Sequence, residues 1–202
     1  MSGAFPTTKK PRVFNFSSNR PNSTAYTLSG KRSVKQFAAQ FFSFTVQMPP
    51  MQQSDFQAFH AFLIKQKGSF STFTFEYPLE NQGADKAQTD ILVNGALSIG
   101  SNSIAMDGFT NSTTGVLKAG DLIKFAGSGH TKVYMVTADT NSNGSGQASV
   151  SIEPPLQVAI ANDEAVTVNK PSFTVALVQD DILYSTDASG LFSLGFEVRE
   201  VL

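Results

Sequence analysis

The sequence contains no cysteine and no tryptophan. Lacking thiols, the chain can hold no disulfide, no cysteine-bound zinc and no thiol nucleophile. Histidine is scarce too: His60 and His130 are the two, and they stand at no metal-ligand spacing to each other, so both read as structural. Charged residues make up 15%, below the usual quarter. No stretch approaches the roughly 18 apolar residues of a membrane-spanning helix. The start, "MSGAFPTTKKPRVFNF", lacks the apolar run of a secretory signal, so the expectation is a soluble product made inside a cell.

A charge of one sign is also missing locally. Up to Ser54 there are Lys9, Lys10, Arg12, Arg20, Lys31, Arg32 and Lys35 and no acid, so all 16 acidic residues lie from Asp55 onward, behind a net charge of only −1. A basic arm suits nucleic acid, or the acidic surface of a neighbouring copy in a head-to-tail oligomer. The bases are scattered along the arm, which favours the protein partner over phosphate. These seven residues are the candidate oligomer contacts.

What is present points to β structure. The chain has 202 residues, 41% of them hydrophobic, with 15 Gly and many Ser, Thr and Asn. That length predicts one body carrying a second, smaller module. Residues 1–36, rich in Pro, Ser and Asn, read as an extended arm with edge strands joined at "SSNRPNS". Phe42, Phe44 and Val46 alternate with polar residues, the period of a half-buried strand, until Pro49 and Pro50 stop it.

A helix follows. Ser54 with Gln57 fits a capping box, Asp55 suits the positive end of the helix dipole, and Phe56, Phe59 and Leu63 recur at helical spacing, with Phe62 widening the face. Lys65 and Lys67 suit the last turn and Gly68 the left-handed cap. In the next predicted strand Phe70 and Thr72 alternate with Phe73 and Phe75, which puts aromatics on both faces up to Pro78.

Composition then shifts. "LENQGADKAQTD", residues 79–90, reads as a linker, and beyond it come short β-like runs separated by turns, as in a small barrel or sandwich. Between Asp90 and Lys170 the aromatics are Phe109, Phe125 and Tyr134. The Phe-rich style returns in "SFTVALV" and in "GLFSLGFEVREVL", where Phe192, Leu194, Phe196 and Val198 share a face. One style, another, then the first again is the trace of an inserted domain. The expected organisation is therefore an arm over 1–36, a parent body from 37–89 and 171–202, and an inserted small β-domain at 90–170.

The candidate chemical motifs are incomplete. Asp139-Thr140-Asn141-Ser142-Asn143-Gly144 opens like an EF-hand calcium loop, but the twelfth position, where a bidentate Glu belongs, is Val150. His130, Ser128 and Asp121 lack the surrounding motifs of a hydrolytic triad, and "GSGHTK" lacks the spacing of a phosphate loop. The chain is expected to be no enzyme, with no catalytic residue, no cofactor and no metal.

The run "GKRSVKQFAAQFFSFTVQMPPMQQSDFQAFHAFLIKQKGSFSTFTFEYP" together with the final "LFSLGFEVREVL" resembles the minor tail protein M type of lambda-like phages and, more distantly, the distal tail proteins of long-tailed phages. The resemblance covers residues 30–78 and 172–202; the module between them has no counterpart in the shorter relatives. It implies a mainly β fold, a β-sandwich with one α-helix carrying an inserted small β-barrel or β-sandwich. It also implies a structural protein of the virion, forming a ring, commonly a hexamer, at the distal end of the tail. Implied partners are further copies of the chain, the tail tube protein, and baseplate or tail tip hub proteins, with no membrane and no nucleic acid beyond DNA passing through the tube. Two other readings stay open on sequence: a carbohydrate- or receptor-binding tail module with the inserted domain as reader, and a head-to-tail adaptor.

Overall fold

The computed structural model describes residues 2–37 and 40–202 and, as expected, is mainly β, with a single α-helix among those residues. In chain order the elements are β1 (Val13–Asn19), β2 (Asn22–Tyr26), β3 (Arg32–Gln36), β4 (Phe41–Gln47), α1 (Gln53–Lys65), β5 (Thr72–Glu76), β6 (Leu92–Val93), β7 (Ser103–Asp107), β8 (Leu122–Phe125), β9 (Tyr134–Val136), β10 (Ala148–Glu153), β11 (Val166–Thr167), β12 (Ser172–Leu177), β13 (Tyr184–Thr186) and β14 (Phe192–Glu200). The chain divides into two units: one takes everything up to Thr74 with Val175–Leu202, the other is Phe75–Thr174. The chain leaves the first unit within β5 and returns within β12.

The sheet of the first unit runs β1-β4-β14-β12-β5, with β13 on the side of β14. Alternation in β4 buries Phe42, Phe44 and Val46. The pairs Phe196↔Val46 and Val198↔Phe44 put the apolar residues of β14 on the same face. Phe14 and Phe16 of β1 extend that face, their rings 5.3 Å from Phe44 and 4.8 Å from Phe42. Helix α1 covers it with Phe56, Phe59 and Leu63. Burying each such side chain contributes on the order of 1.5–3 kcal/mol, so this face is the core of the unit.

The helix begins earlier than the capping box predicts. Its N-cap is Gln52, with no side-chain cap, so Ser54 lies inside the first turn and Asp55 is left to face the dipole. At the other end the left-handed turn starts at Lys67 (φ 57°) and continues through Gly68 (φ 65°) into the 3-10 turn Gly68–Phe70. That turn draws Phe70 out of the strand, and its ring is 82% exposed. Aromatics therefore line one face of β5, at Phe73 and Phe75, instead of two.

The N-terminal segment, read as an extended arm with edge strands, begins on β5. Residues 2–5 lie along β5: Ser2 and Phe5 donate their N–H groups to the carbonyls of Thr72 and Thr74, and Thr74 N–H donates to Gly3 O. Phe5 is buried among Phe59, Phe62, Phe73 and Phe196. The rest of the arm is edge strand β1 and a hairpin, β2 with β3, of which every residue is exposed.

In the second unit the sheet order is β11-β8-β9-β10-β7-β6. A bridge between Leu92 and Ala165, with Val93 N–H donating to Glu164 O and Val166 N–H to Ile91 O, brings its two ends together into a nearly closed barrel. Ile104, Met106, Val150, Ile152, Tyr134 and Phe125 are among the side chains that fill it. Closure removes exposed strand edges, so strands of two to six residues suffice.

Residues 79–90 are no linker. The Asn81 amide donates to Leu122 O and Val168 O, at 2.7 and 2.6 Å, and accepts from Leu122 N–H at 3.1 Å. Asp121 accepts from the N–H groups of Gln82, Gly83 and Lys118. Polar composition here marks a buried hydrogen-bond network, which resembles a loop in sequence because its residue types are the same. Entry and exit of the unit run side by side: Tyr77 N–H donates to Pro171 O, and Lys170 pairs with Glu80 at 3.2 Å.

Candidate functional site

The basic residues proposed as contacts fall into two groups. Lys9, Lys10 and Arg12 precede β1. Lys9 forms an ion pair with Asp55 on α1 at 3.0 Å, and Arg12 N–H donates to Gln47 O at the start of the β1–β4 ladder. The second group, Arg20, Lys31, Arg32 and Lys35, sits on and beside the β2–β3 hairpin.

The hairpin is formed by local chemistry. Pro21 turns the chain out of β1. At the tip, Thr27 N–H donates to Lys31 O and Gly30 N–H to Thr27 O, while Thr27 Oγ1 accepts from Lys31 N–H at 3.1 Å. Gly30 takes φ 79° there, which a larger residue would resist. The pairs Asn22↔Gln36, Thr24↔Val34 and Tyr26↔Arg32 share one face. Ser23↔Lys35 and Ala25↔Ser33 share the other.

The first face therefore carries Tyr26, Val34 and Arg32, and Arg20 joins it. With the Gln36 amide turned so that its oxygen faces Arg20, Nε and Nη1 of Arg20 donate to it at 3.0 and 3.1 Å. Tyr26 is 69% exposed, Leu28 at the tip is fully exposed and Phe37 at the base is nearly half exposed. Among the described residues none of Lys31, Arg32 and Lys35 has an ion-pair partner. A solvated two-stranded sheet of this kind is marginal on its own.

An acidic counterpart lies elsewhere in the first unit, and the sequence analysis did not single it out. Residues 178–190 hold Asp180, Asp181 and Asp187 and no base. Asp180 Oδ1 accepts from both N–H and Oγ–H of Ser69, at 2.9 and 2.7 Å. Those two bonds hold its carboxyl below the ordinary carboxylate range. Asp187 Oδ1 accepts from Ser189 and Leu191 N–H, shaping the turn into β14. Leu183 and Tyr184 are exposed beside these carboxylates. The signal available in sequence was the run from Val178 to Gly190 itself, three acids without a base.

The other candidate chemistry is absorbed into the fold. In the run resembling a calcium loop, Asp139 accepts from Ala119 N–H and Lys118 Nζ, Asn141 from Gly115 N–H, and Asn143 from Ser145 and Gln147 N–H. Val150, at the twelfth position, is buried in β10. No cluster able to hold a metal occurs among the described residues. His130 is buried, with Nε2 3.4 Å from Glu164 Oε1, and His60 stacks on Phe56 with ring centres 5.0 Å apart. The three carboxylate bonds of Asp121 go to backbone N–H groups, the role of a structural anchor. Phe109, Phe125 and Tyr134 are all buried, so none of them offers an outward ring to a sugar.

Residues 83–173 match the family model described as the B domain of distal tail protein pb9. The match falls on the barrel, the part for which the resemblance in the flanking sequence offers no counterpart, and it bears out the likeness to phage distal tail proteins. No curated protein matches the chain.

Proposed function

We propose that the chain is a non-enzymatic structural component of a phage tail, assembling as a ring of six copies at the distal end of the tail tube and joining the tube to baseplate or tail tip hub proteins. The observation that carries this reading is the match of the barrel unit to a distal tail protein domain. The surface of the first unit supports it independently. A cyclic assembly needs two different, complementary faces on each subunit. The exposed basic hairpin and the acidic run at residues 178–190 supply a pair of that kind. In the barrel, meanwhile, Asn81, Asp85, Asp121 and Asn141 are engaged in holding its own loops.

Two measurements test the reading. Light scattering and negative-stain images of the full chain at low salt should show closed rings, loosening as salt screens the charged contact over a Debye length of about 10 Å at 0.1 M. Antibody against the barrel should label intact virions at the tail tip. Persistent monomers, together with virions that carry no label at the tip, would overturn it.

A further inference from the structure

We infer that the β2–β3 hairpin of one copy docks, through its Tyr26–Arg32–Val34 face and its Leu28 tip, on the acidic 178–190 segment of the next copy. This rests on the ring reading and names the contact that closes the ring.

The hairpin needs cover from outside its own chain. Every residue of β2 and β3 is exposed, and two large apolar side chains, Tyr26 and Leu28, stand in water at its end. Exposed apolar side chains grouped on one element mark an interaction surface. Contrast with Lys9 is informative. That lysine pairs with Asp55 of its own chain at 3.0 Å, whereas among the described residues Lys31 and Arg32 have no ion-pair partner in theirs.

The 178–190 segment has matching chemistry. It offers Asp180, Asp181 and Asp187 against Arg20 and Arg32 of that face and Lys31 at the tip, and Leu183, 72% exposed, against the tip leucine. Both hydrogen bonds to Asp180 fall on Oδ1, and both to Asp187 likewise, so the carboxylates are held in place while keeping their charge. A preorganised anion costs less to pair than a mobile one. Strand β13, inside the segment, pairs with β14 and lies off the main path of the sheet, so it presents an outer edge. The two surfaces differ, so the contact is heterologous and propagates in one direction, as ring closure requires.

The absence of cysteine gives a test without background. In the full chain, mild oxidation of the L28C/D181C variant should give a ladder of covalent oligomers that collapses to monomer on reduction. Each single variant should remain monomeric on a denaturing gel, and a mixture of L28C with D181C should stop at a dimer. In parallel, K31E/R32E, checked for folding by circular dichroism, should raise the concentration of half-assembly by about tenfold or more. A wild-type chain that assembles while L28C/D181C gives no ladder overturns this contact and leaves the ring reading standing. Covalent dimers from L28C alone would make the contact symmetric and also overturn it. If K31E/R32E assembles normally but loses affinity for DNA in a gel shift, the hairpin serves nucleic acid and the inference fails. A wild-type chain that stays monomeric at high concentration and low salt overturns both readings.

Discussion

Phe5 and Phe196 meet with ring centres 5.2 Å apart, joining the start of the described chain to its last strand. Phe5 also lies 5.4 Å from Phe59 of the helix and 6.4 Å from Phe73 of β5, so one side chain ties three elements together. Replacing it with alanine should cost about 3–5 kcal/mol, the range for emptying a buried aromatic site. Removal of residues 1–8 should be at least as damaging, because it also strips the hydrogen bonds from Ser2 and Phe5 to β5. Thermal unfolding of both variants checks this. A deletion that melts with the wild type would mean that the segment contributes nothing.

Asn81 should tolerate little. Its amide satisfies two carbonyls and one N–H inside the barrel, so Asn81→Leu leaves three buried backbone groups without partners. Each unsatisfied group costs on the order of 1–3 kcal/mol. Gln82→Ala, one residue on and exposed, should stay close to neutral, since its backbone N–H keeps its bond to Asp121 and the side chain loses only an exposed bond to Glu80 O. Urea unfolding of the two variants side by side gives the comparison.

Gly68 is fixed by two independent requirements. Its φ of 65° suits glycine, and a Cβ there would come within 2.9 Å of Asp180 Cα and 2.6 Å of Asp180 Oδ1. Gly68→Ala should therefore destabilise by more than the roughly 1 kcal/mol that the backbone conformation alone would cost. It should also break the bonds from Ser69 to Asp180, which the Ser69 amide resonance would report.

The same carboxylate gives a pH prediction. Ser69 N–H first, then Ser69 Oγ–H, hold the folded pKa of Asp180 below its ordinary value of 3.8. A depressed carboxylate contributes stability that is fully present above the unfolded pKa and is lost as pH falls through the lower folded value. The Ser69 amide shift should accordingly titrate with a midpoint below 3.8, and the Asp180→Asn variant should show no such titration. A midpoint above that value would contradict the geometry.

The barrel should fold by itself. Its core is drawn from residues 91–168, and its entry and exit are tied by Asn81 N–H to Asn169 Oδ1 and by Glu80 to Lys170. A fragment of residues 79–170 should give a β-type circular dichroism spectrum and a cooperative melt. A fragment without a thermal transition would show that the unit depends on the flanking chain.

Local pattern alone determined much of this protein. The period of two in Phe41–Gln47 and Phe192–Glu200 and the helical spacing of Phe56, Phe59 and Leu63 place their burial directly, because repeating geometry converts sequence spacing into a face. The basic N-terminal stretch is equally legible, since charge is a property of composition. Tertiary structure decided the rest. Phe5 sits in a Pro- and Ser-containing stretch with no period to read, and its burial follows from β5 offering an edge beside an aromatic cluster far along the chain. Asn81 and Asp121 have the residue types of a loop, and they become core because each meets several backbone groups distant in sequence. Tyr26 and Leu28 show the converse: apolar residues left in water because no part of the described first unit covers the hairpin. A sequence period reports which side chains share a face, and only the folded chain settles what that face meets.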